Sequence, residues 1–234
     1  MVNAGEQRLL TMSTDVVEAY LLHDVHDYVV TEGFVLNLDS EAIAVSPPEA
    51  VTYVLPWKSG HFFNATIEFA KRVAVFRVRM NARLNVLEEG VWDWFGVHLP
   101  SFPASTRLYM SPVDRVGNID LDLSAFTARS FTELGSKRYE IRLNLWFAPA
   151  GTDCGIHNTH RFLEIHTQIA GTGRIEKFKT SDEATKFEEV MMPQGVTHQF
   201  FGDLDASGDP HYPWHRYIAE TDCVWLAIEF HRMT

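Results

Sequence analysis

Gly151-Thr-Asp-Cys-Gly-Ile-His157-Asn-Thr-His160-Arg-Phe-Leu-Glu164-Ile-His166-Thr-Gln168-Ile-Ala-Gly171 crowds three imidazoles and a carboxylate into a short run that ends on glycine. A second cluster, Pro193-Gln-Gly195-Val-Thr-His198, follows it. Neutral imidazole nitrogen mixed with anionic carboxylate oxygen suits iron(II), manganese(II), nickel(II) or zinc(II), whereas magnesium and calcium favour oxygen alone. The chain is therefore expected to carry one mononuclear metal, with His157, His160, Glu164 and His198 as candidate ligands.

If Glu164 to Ala170 is a strand, its period of two sends Glu164, His166 and Gln168 to one face and Ile165, Thr167 and Ile169 to the other. The isoleucines can pack between sheets while the polar face lines a cavity. An inward carboxylate is costly to bury unless a cation or several donors meet it, so Glu164 argues for a metal more strongly than any single histidine does. His166 and Gln168 are then placed to contact substrate, and Gly171 and Gly173 permit the tight turn at the strand end.

These residues resemble the two motifs of the cupin superfamily. The first motif runs Gly, five residues, His-x-His, three or four residues, Glu, six residues, Gly; here Gly151 stands five residues before His157 and Glu164 six before Gly171. The second contains Pro-x-Gly-x-x-His, which Pro193 to His198 satisfies. The middle departs from the pattern, because His157 and His160 are three apart rather than two. Phe187 and Gly202 stand where the second motif has a glycine and an asparagine. The resemblance covers about residues 139–231 and implies an all-β, double-stranded β-helix or jelly-roll barrel.

By the same resemblance, His160, Glu164 and His198 look like the two-histidine, one-carboxylate triad of iron-dependent cupin oxygenases, including the phosphonate epoxidase type, with His157 as a fourth ligand or a replacement. That reading implies iron(II), dioxygen and a small polar metabolite, with His166 and Gln168 as catalytic and substrate-orienting groups. A metal-dependent isomerase, epimerase or lyase using manganese(II), nickel(II) or zinc(II) is the rival, and a non-catalytic ligand-binding cupin a third possibility. A homodimer is also implied by the resemblance.

Working outward, Asp15 followed by Glu18 reads as a helix start, and Val16, Val17, Tyr20, Leu21 and Tyr28 recur at roughly helical spacing, so residues 1–33 are expected to hold an N-terminal helix carrying His23 and His26. From Phe34 onward the pattern changes to alternation punctuated by Pro and Gly. Strands are expected over Ala74–Val86, Tyr139–Phe147, Glu164–Ala170, Glu188–Met192 and Val224–Phe230. In the first of these, Arg77, Arg79, Asn81, Arg83 and Asn85 form a polar face opposite Ala74, Phe76, Val78, Met80, Ala82, Leu84 and Val86.

The whole chain, 1–234, is read as one cupin-type domain: a helical segment 1–33, additional strands 34–138, and the motif region 139–234. Pro56-Trp-Lys-Ser-Gly60-His61 faintly echoes the Pro193 cluster, which makes 34–138 a candidate degenerate cupin half. The long stretch 202–217, with Tyr212, Trp214 and Tyr217, reads as a pocket lid or a dimer interface, and Tyr212 and Trp214 as substrate contacts. His98, His211, His215 and His231 are read as ordinary surface or core histidines.

Composition narrows the partners. A formal charge of −11 over 234 residues disfavours nucleic acid, whose phosphates draw on clustered Lys and Arg. Cys154 and Cys223 have no CxxC spacing and are read as reduced thiols, Cys154 as a small buried hydrophobe. No stretch approaches the ~20 apolar residues of a membrane helix, and Met1 to Arg8 lacks a secretory pattern, so a cytoplasmic, membrane-free protein is expected.

Overall fold

The computed structural model describes residues 5–79, 86–126 and 135–233. The chain forms two compact units, Met1–Val91 and Trp92–Thr234; the boundary falls inside the segment 34–138 assigned to additional strands. Met80 to Asn85 of the expected Ala74–Val86 strand lie outside the described residues.

The first unit is a sheet of β1 (Glu6–Leu9), β2 (Val17–Asn37), β3 (Ile43–Ser46), β4 (Thr52–Val54) and β5 (Ser59–Val78), in the order β1-β2-β5-β3-β4. The N-terminal helix is thus replaced by strand. Val17, Ala19 and Leu21 are buried while Glu18 and Tyr20 between them are not, which is a period of two. Thr14, rather than Asp15, governs the start: its Oγ1 accepts from the backbone N–H groups of Val16 and Val17 and turns the chain into a strand. The alternation is hidden further along because Asp24 (φ 48°) and Asp27 (φ 52°) adopt left-handed conformations that reset the side-chain phase. His23 and His26 accordingly lie on β2, paired with Arg72 and Phe69 of β5.

β2 and β5 curl. Residues 73–76 of β5 pair on one side with 19–22 and on the other with 34–37, so one ribbon closes on itself. The corner needs Gly33, where a Cβ would come within 2.8 Å of the Phe76 carbonyl oxygen. Leu22, Val30, Val35, Val45, Ile67 and Val75 fill the interior. Asn37, fully buried, donates to Glu41 O at 2.7 Å and Val54 O at 2.9 Å, tying the loop between β2 and β3 to β4.

The second unit is a two-sheet sandwich. β6 (Asp93–Trp94), β7 (Tyr109–Met110), β9 (Ser136–Ala148), β10 (Leu163–Ala170), β13 (Thr197–His198) and β17 (Cys223–Arg232) run in the order β13-β10-β17-β9-β7-β6, with β8 (Asp114–Asp122) also on β9. A smaller sheet has the order β12-β11-β16, from β11 (Gly173–Phe178), β12 (Lys186–Met192) and β16 (Trp214–Ala219). β14 (Asp203–Leu204) and β15 (Pro210–His211) make a hairpin within 202–217. The strands expected over 139–147, 164–170, 188–192 and 224–230 are present as parts of β9, β10, β12 and β17. Among the described residues the one α-helical segment is the single turn Leu123–Phe126, and no helix is long and apolar enough to cross a membrane.

The sheets meet where Tyr217 of β16 stacks on Trp225 of β17 at 4.1 Å and donates to Gln168 Oε1 of β10 at 2.7 Å. Ile175, Met192, Ala219 and Cys223 complete that cluster. Gly171 (φ 72°) turns β10 into β11, and a Cβ there would meet the Asp222 carbonyl oxygen at 2.0 Å. Leu163, Ile165 and Ile169 are at most 1% exposed on the opposite face of β10. Glu164, His166 and Gln168 therefore share the face that looks toward the smaller sheet.

The left-handed Asp24 gives a direct check on the first unit. Asp24→Gly is expected to keep or raise the chemical denaturation midpoint, whereas Asp24→Val lowers stability by about 1–2 kcal/mol, because a β-branched residue tolerates positive φ poorly.

Candidate metal centre

The segment between β9 and β10 is not a free loop. Gly151 N–H donates to Ala219 O at 2.8 Å, Ala219 N–H to Thr152 O at 3.0 Å and Cys154 N–H to Tyr217 O at 3.0 Å. His157 and His215 then exchange both backbone hydrogen bonds, at 2.9 and 2.8 Å. The glycine-rich start of the first motif thereby lies along β16 as an extra strand, and its end delivers His157 beside His215.

Arg216 fixes this arrangement from below. It donates through Nε to Glu176 Oε2 at 2.6 Å and through Nη1 to Asp153 Oδ2 at 2.8 Å, and it also pairs with Glu183. Glu176 accepts from Arg174 and Lys186, each at 3.0 Å. Burial opposes ionisation of Glu176, but its three cationic partners bring its pKa down to about 2.

Above this network, His160 Nε2 lies 3.0 Å from His157 Nε2 and 3.0 Å from His215 Nε2. His157 Nδ1 is 3.0 Å from Gly155 O and His215 Nδ1 is 2.8 Å from Pro213 O. A carbonyl oxygen only accepts, so both Nδ1 atoms carry the proton and both Nε2 lone pairs point inward. His160 Nδ1 faces Glu164 Oε2 at 3.7 Å, and the carboxylate favours the proton on that side of the ring too. Burial, then proximity to His157, lowers the pKa of His215 to about 3; burial also lowers that of His160.

Imidazole lone pairs converging at these distances repel one another unless a proton or a metal cation joins them. The donor set therefore fits a metal ion, and all three ligand atoms lie within 4.8 Å of one another. Among the described residues this is the one such grouping of His, Cys, Asp or Glu. Cys154 does not join it: burial pushes its thiol well up, and it packs against the Tyr217 and Trp225 cluster.

Of the residues singled out from sequence, His157 and His160 come together, while Glu164 and His198 stand outside the trio. Glu164 sits behind His160 and accepts from His166 Nε2 at 3.1 Å. Burial disfavours charge on both, yet their mutual attraction prevails: the Glu164 pKa drops to about 2 and that of His166 rises. Glu164 Oε2 and His198 Nδ1 are buried without a hydrogen-bond partner. His198 pairs in register with His166 across β13 and β10, and burial followed by Lys177 lowers its pKa to about 4.

Gln168 is fully buried against Tyr217. Tyr212 donates to Phe162 O at 2.9 Å, with its ring 5.1 Å from His160 and 5.2 Å from Phe201. Phe201 in turn lies 4.9 Å from His215. Trp214 opens β16 opposite Phe178. His98, His211 and His231 are paired with Asp93, Asp205 and Glu229. His215 is the group that motif spacing does not reveal, because an antiparallel pairing 55 residues from His160 brings it in.

No family profile matches this sequence, and no curated protein matches it. Similar solved structures include the Cupin 2 conserved barrel domain protein from Leptotrichia buccalis, 10% identical over 98% of this chain and 90% of that one, with a TM-score of 0.31. A cupin superfamily protein from Desulfitobacterium hafniense is 11% identical over 51% and 78%, TM-score 0.29. A predicted oxalate decarboxylase from Thermotoga maritima is 15% identical over 56% and 90%, TM-score 0.31.

The Glu176 network predicts an acid dependence. Because its folded pKa lies below the ordinary 4.5, its stabilisation is present above 4.5 and is lost as pH falls toward 2. Glu176→Gln is expected to cost about 3 kcal/mol or less at pH 7, since Arg216 keeps Asp153 and Glu183, and to flatten that part of the stability profile measured by urea denaturation.

Proposed function

We propose that this chain is a mononuclear metal enzyme of cupin type, with His157, His160 and His215 holding the ion, and that it oxidises a small polar metabolite with dioxygen at iron(II). The observation that carries the reading is the convergence of three Nε2 atoms whose Nδ1 sides are turned to carbonyls and a carboxylate. Three protein donors rather than four is the pattern of catalytic sites, in which substrate completes the set. Imidazole nitrogen suits iron(II), as it does zinc and nickel. Iron(II) held there would supply a redox-active centre through which electrons pass from a substrate bound beside it to dioxygen.

The chain's own residues do the rest. Phe162, Phe201 and Tyr212 surround the imidazoles with rings and keep bulk water away. Glu164, 3.7 Å from His160 Nδ1, favours the proton on that side of the ring electrostatically. His166, charged against Glu164, holds its Nε2 proton on that carboxylate at 3.1 Å.

That buried Glu164–His166 pair favours a second reading, proton transfer in an isomerase or lyase with the ion as Lewis acid. Oxygen uptake separates the two. The first reading expects iron-loaded protein to consume oxygen with its substrate; turnover with zinc(II) under anaerobic conditions would replace it with the second.

For the ligand set, protein purified without chelator or nickel should contain about one metal per chain. His157→Ala, His160→Ala and His215→Ala should each lose most of it, while His198→Ala retains it. If His198→Ala loses the metal and His215→Ala keeps it, the ion belongs to the motif set instead.

A further inference from the structure

Lys177 is a cation buried beside the proposed centre, and neither motif accounts for it. Its side chain is 8% exposed, on β11. In register it lies directly opposite His215 of β16 on one side and Glu188 of β12 on the other. Directly opposed residues of an antiparallel pair project to the same face, so the ammonium is on the face of the small sheet that carries His215. Nζ is 4.9 Å from the centre of the Phe201 ring, and that ring also touches His215 at 4.9 Å and His198 at 5.1 Å. Phe201 is therefore the shared wall between the imidazole trio, the ammonium and His198.

Two features set this lysine apart from a structural ion pair. Its partner Glu188, at 2.9 Å, is 42% exposed, so a buried cation is neutralised by a carboxylate that remains in contact with water. Such a pair gains little over an apolar pair of the same volume, because burying the ammonium is costly. In addition, His198 Nδ1 is buried with no hydrogen-bond partner, and the His198 ring meets the same Phe201 ring edge-on at 5.1 Å. A missing partner at a buried ring nitrogen is a cost that a bound hydrogen-bonding group would remove. An ammonium and an imidazole Nδ1 that carries its proton, both set against the Phe201 ring, would form a receptor for a carboxylate.

We propose that the substrate is a small organic acid, and that its carboxylate displaces Glu188 to bind Lys177 Nζ and His198 Nδ1 over Phe201, next to His157, His160 and His215. This deepens the metal-enzyme reading by naming the substrate class and rests on it for the reaction, but the anion site itself is made of residues outside the imidazole trio. Lys177 then positions one end of the acid while the rest of the molecule reaches the centre. Glu188 acts as an internal competitor that occupies the ammonium when no acid is bound.

Calorimetric titration with acetate, malonate and benzoate against acetamide, malonamide and benzamide tests the site, with metal content and unfolding midpoint measured on every variant. Wild type should bind at least one acid at least tenfold more tightly than its amide. Lys177→Met should lose that preference at least tenfold with metal content unchanged, Lys177→Arg should keep part of it, and Glu188→Gln should strengthen binding by removing the competitor. The proposal is overturned if no acid is preferred to its amide, or if Lys177→Met binds the preferred acid as wild type does. It is also overturned if Glu188→Gln and Lys177→Met both lower the unfolding midpoint and weaken binding alike, the signature of a purely structural pair. Loss of metal from the His157, His160 and His215 variants is read separately, so failure of the anion site leaves the metal centre standing, and the converse.

Discussion

The second unit depends on one backbone pairing, the double hydrogen bond between His157 and His215. It converts what would be a long connection between β9 and β10 into an added strand on β16. It also sets two imidazoles side by side with their Nδ1 atoms directed at carbonyls. The Arg216 cluster underneath, joining Asp153 of the added strand to Glu176 of β11, keeps that strand from peeling away. His160 and Glu164 then need only the short turn into β10 to complete the polar interior. Chemistry and architecture are the same hydrogen-bond ladder viewed from two sides.

Much of the second unit could be read from residues. β9 alternates apolar and polar residues over Tyr139–Leu145, β17 opens on an apolar run over Cys223–Ile228, and in β10 Glu164, His166 and Gln168 do share one face. The crowding of His157 and His160 marked the centre. What could not be read was the third imidazole, because nothing local in Pro213-Trp-His215-Arg-Tyr217 distinguishes a site residue from a core histidine; its position follows from strand pairing. Lys177 escaped for the same reason. Its importance comes from lying opposite His215 and under Phe201, and both are facts of register.

The first unit shows the opposite failure. Asp15 and Glu18 imitate a helix start, and the apolar spacing from Val16 to Tyr28 imitates a helix face, yet the segment is strand. Two aspartates in left-handed conformations shift the alternation, and β-branched Val16, Val17, Val25, Val29 and Val30 fit a pleated surface better than a helix. Hydrophobic period is a reliable guide only where the backbone is uninterrupted, and here it is interrupted where the pattern was read.

The pairing of His157 with His215 has a kinetic side. It joins points far apart in the chain, with β10 to β15 enclosed between them, so the ends must find each other against the entropy of a long closed loop. The imidazole trio cannot exist in a fragment or in a partly zipped intermediate. During refolding, ion uptake at this place would report the arrival of that contact, and so serve as a clock for one step in the assembly of the sandwich.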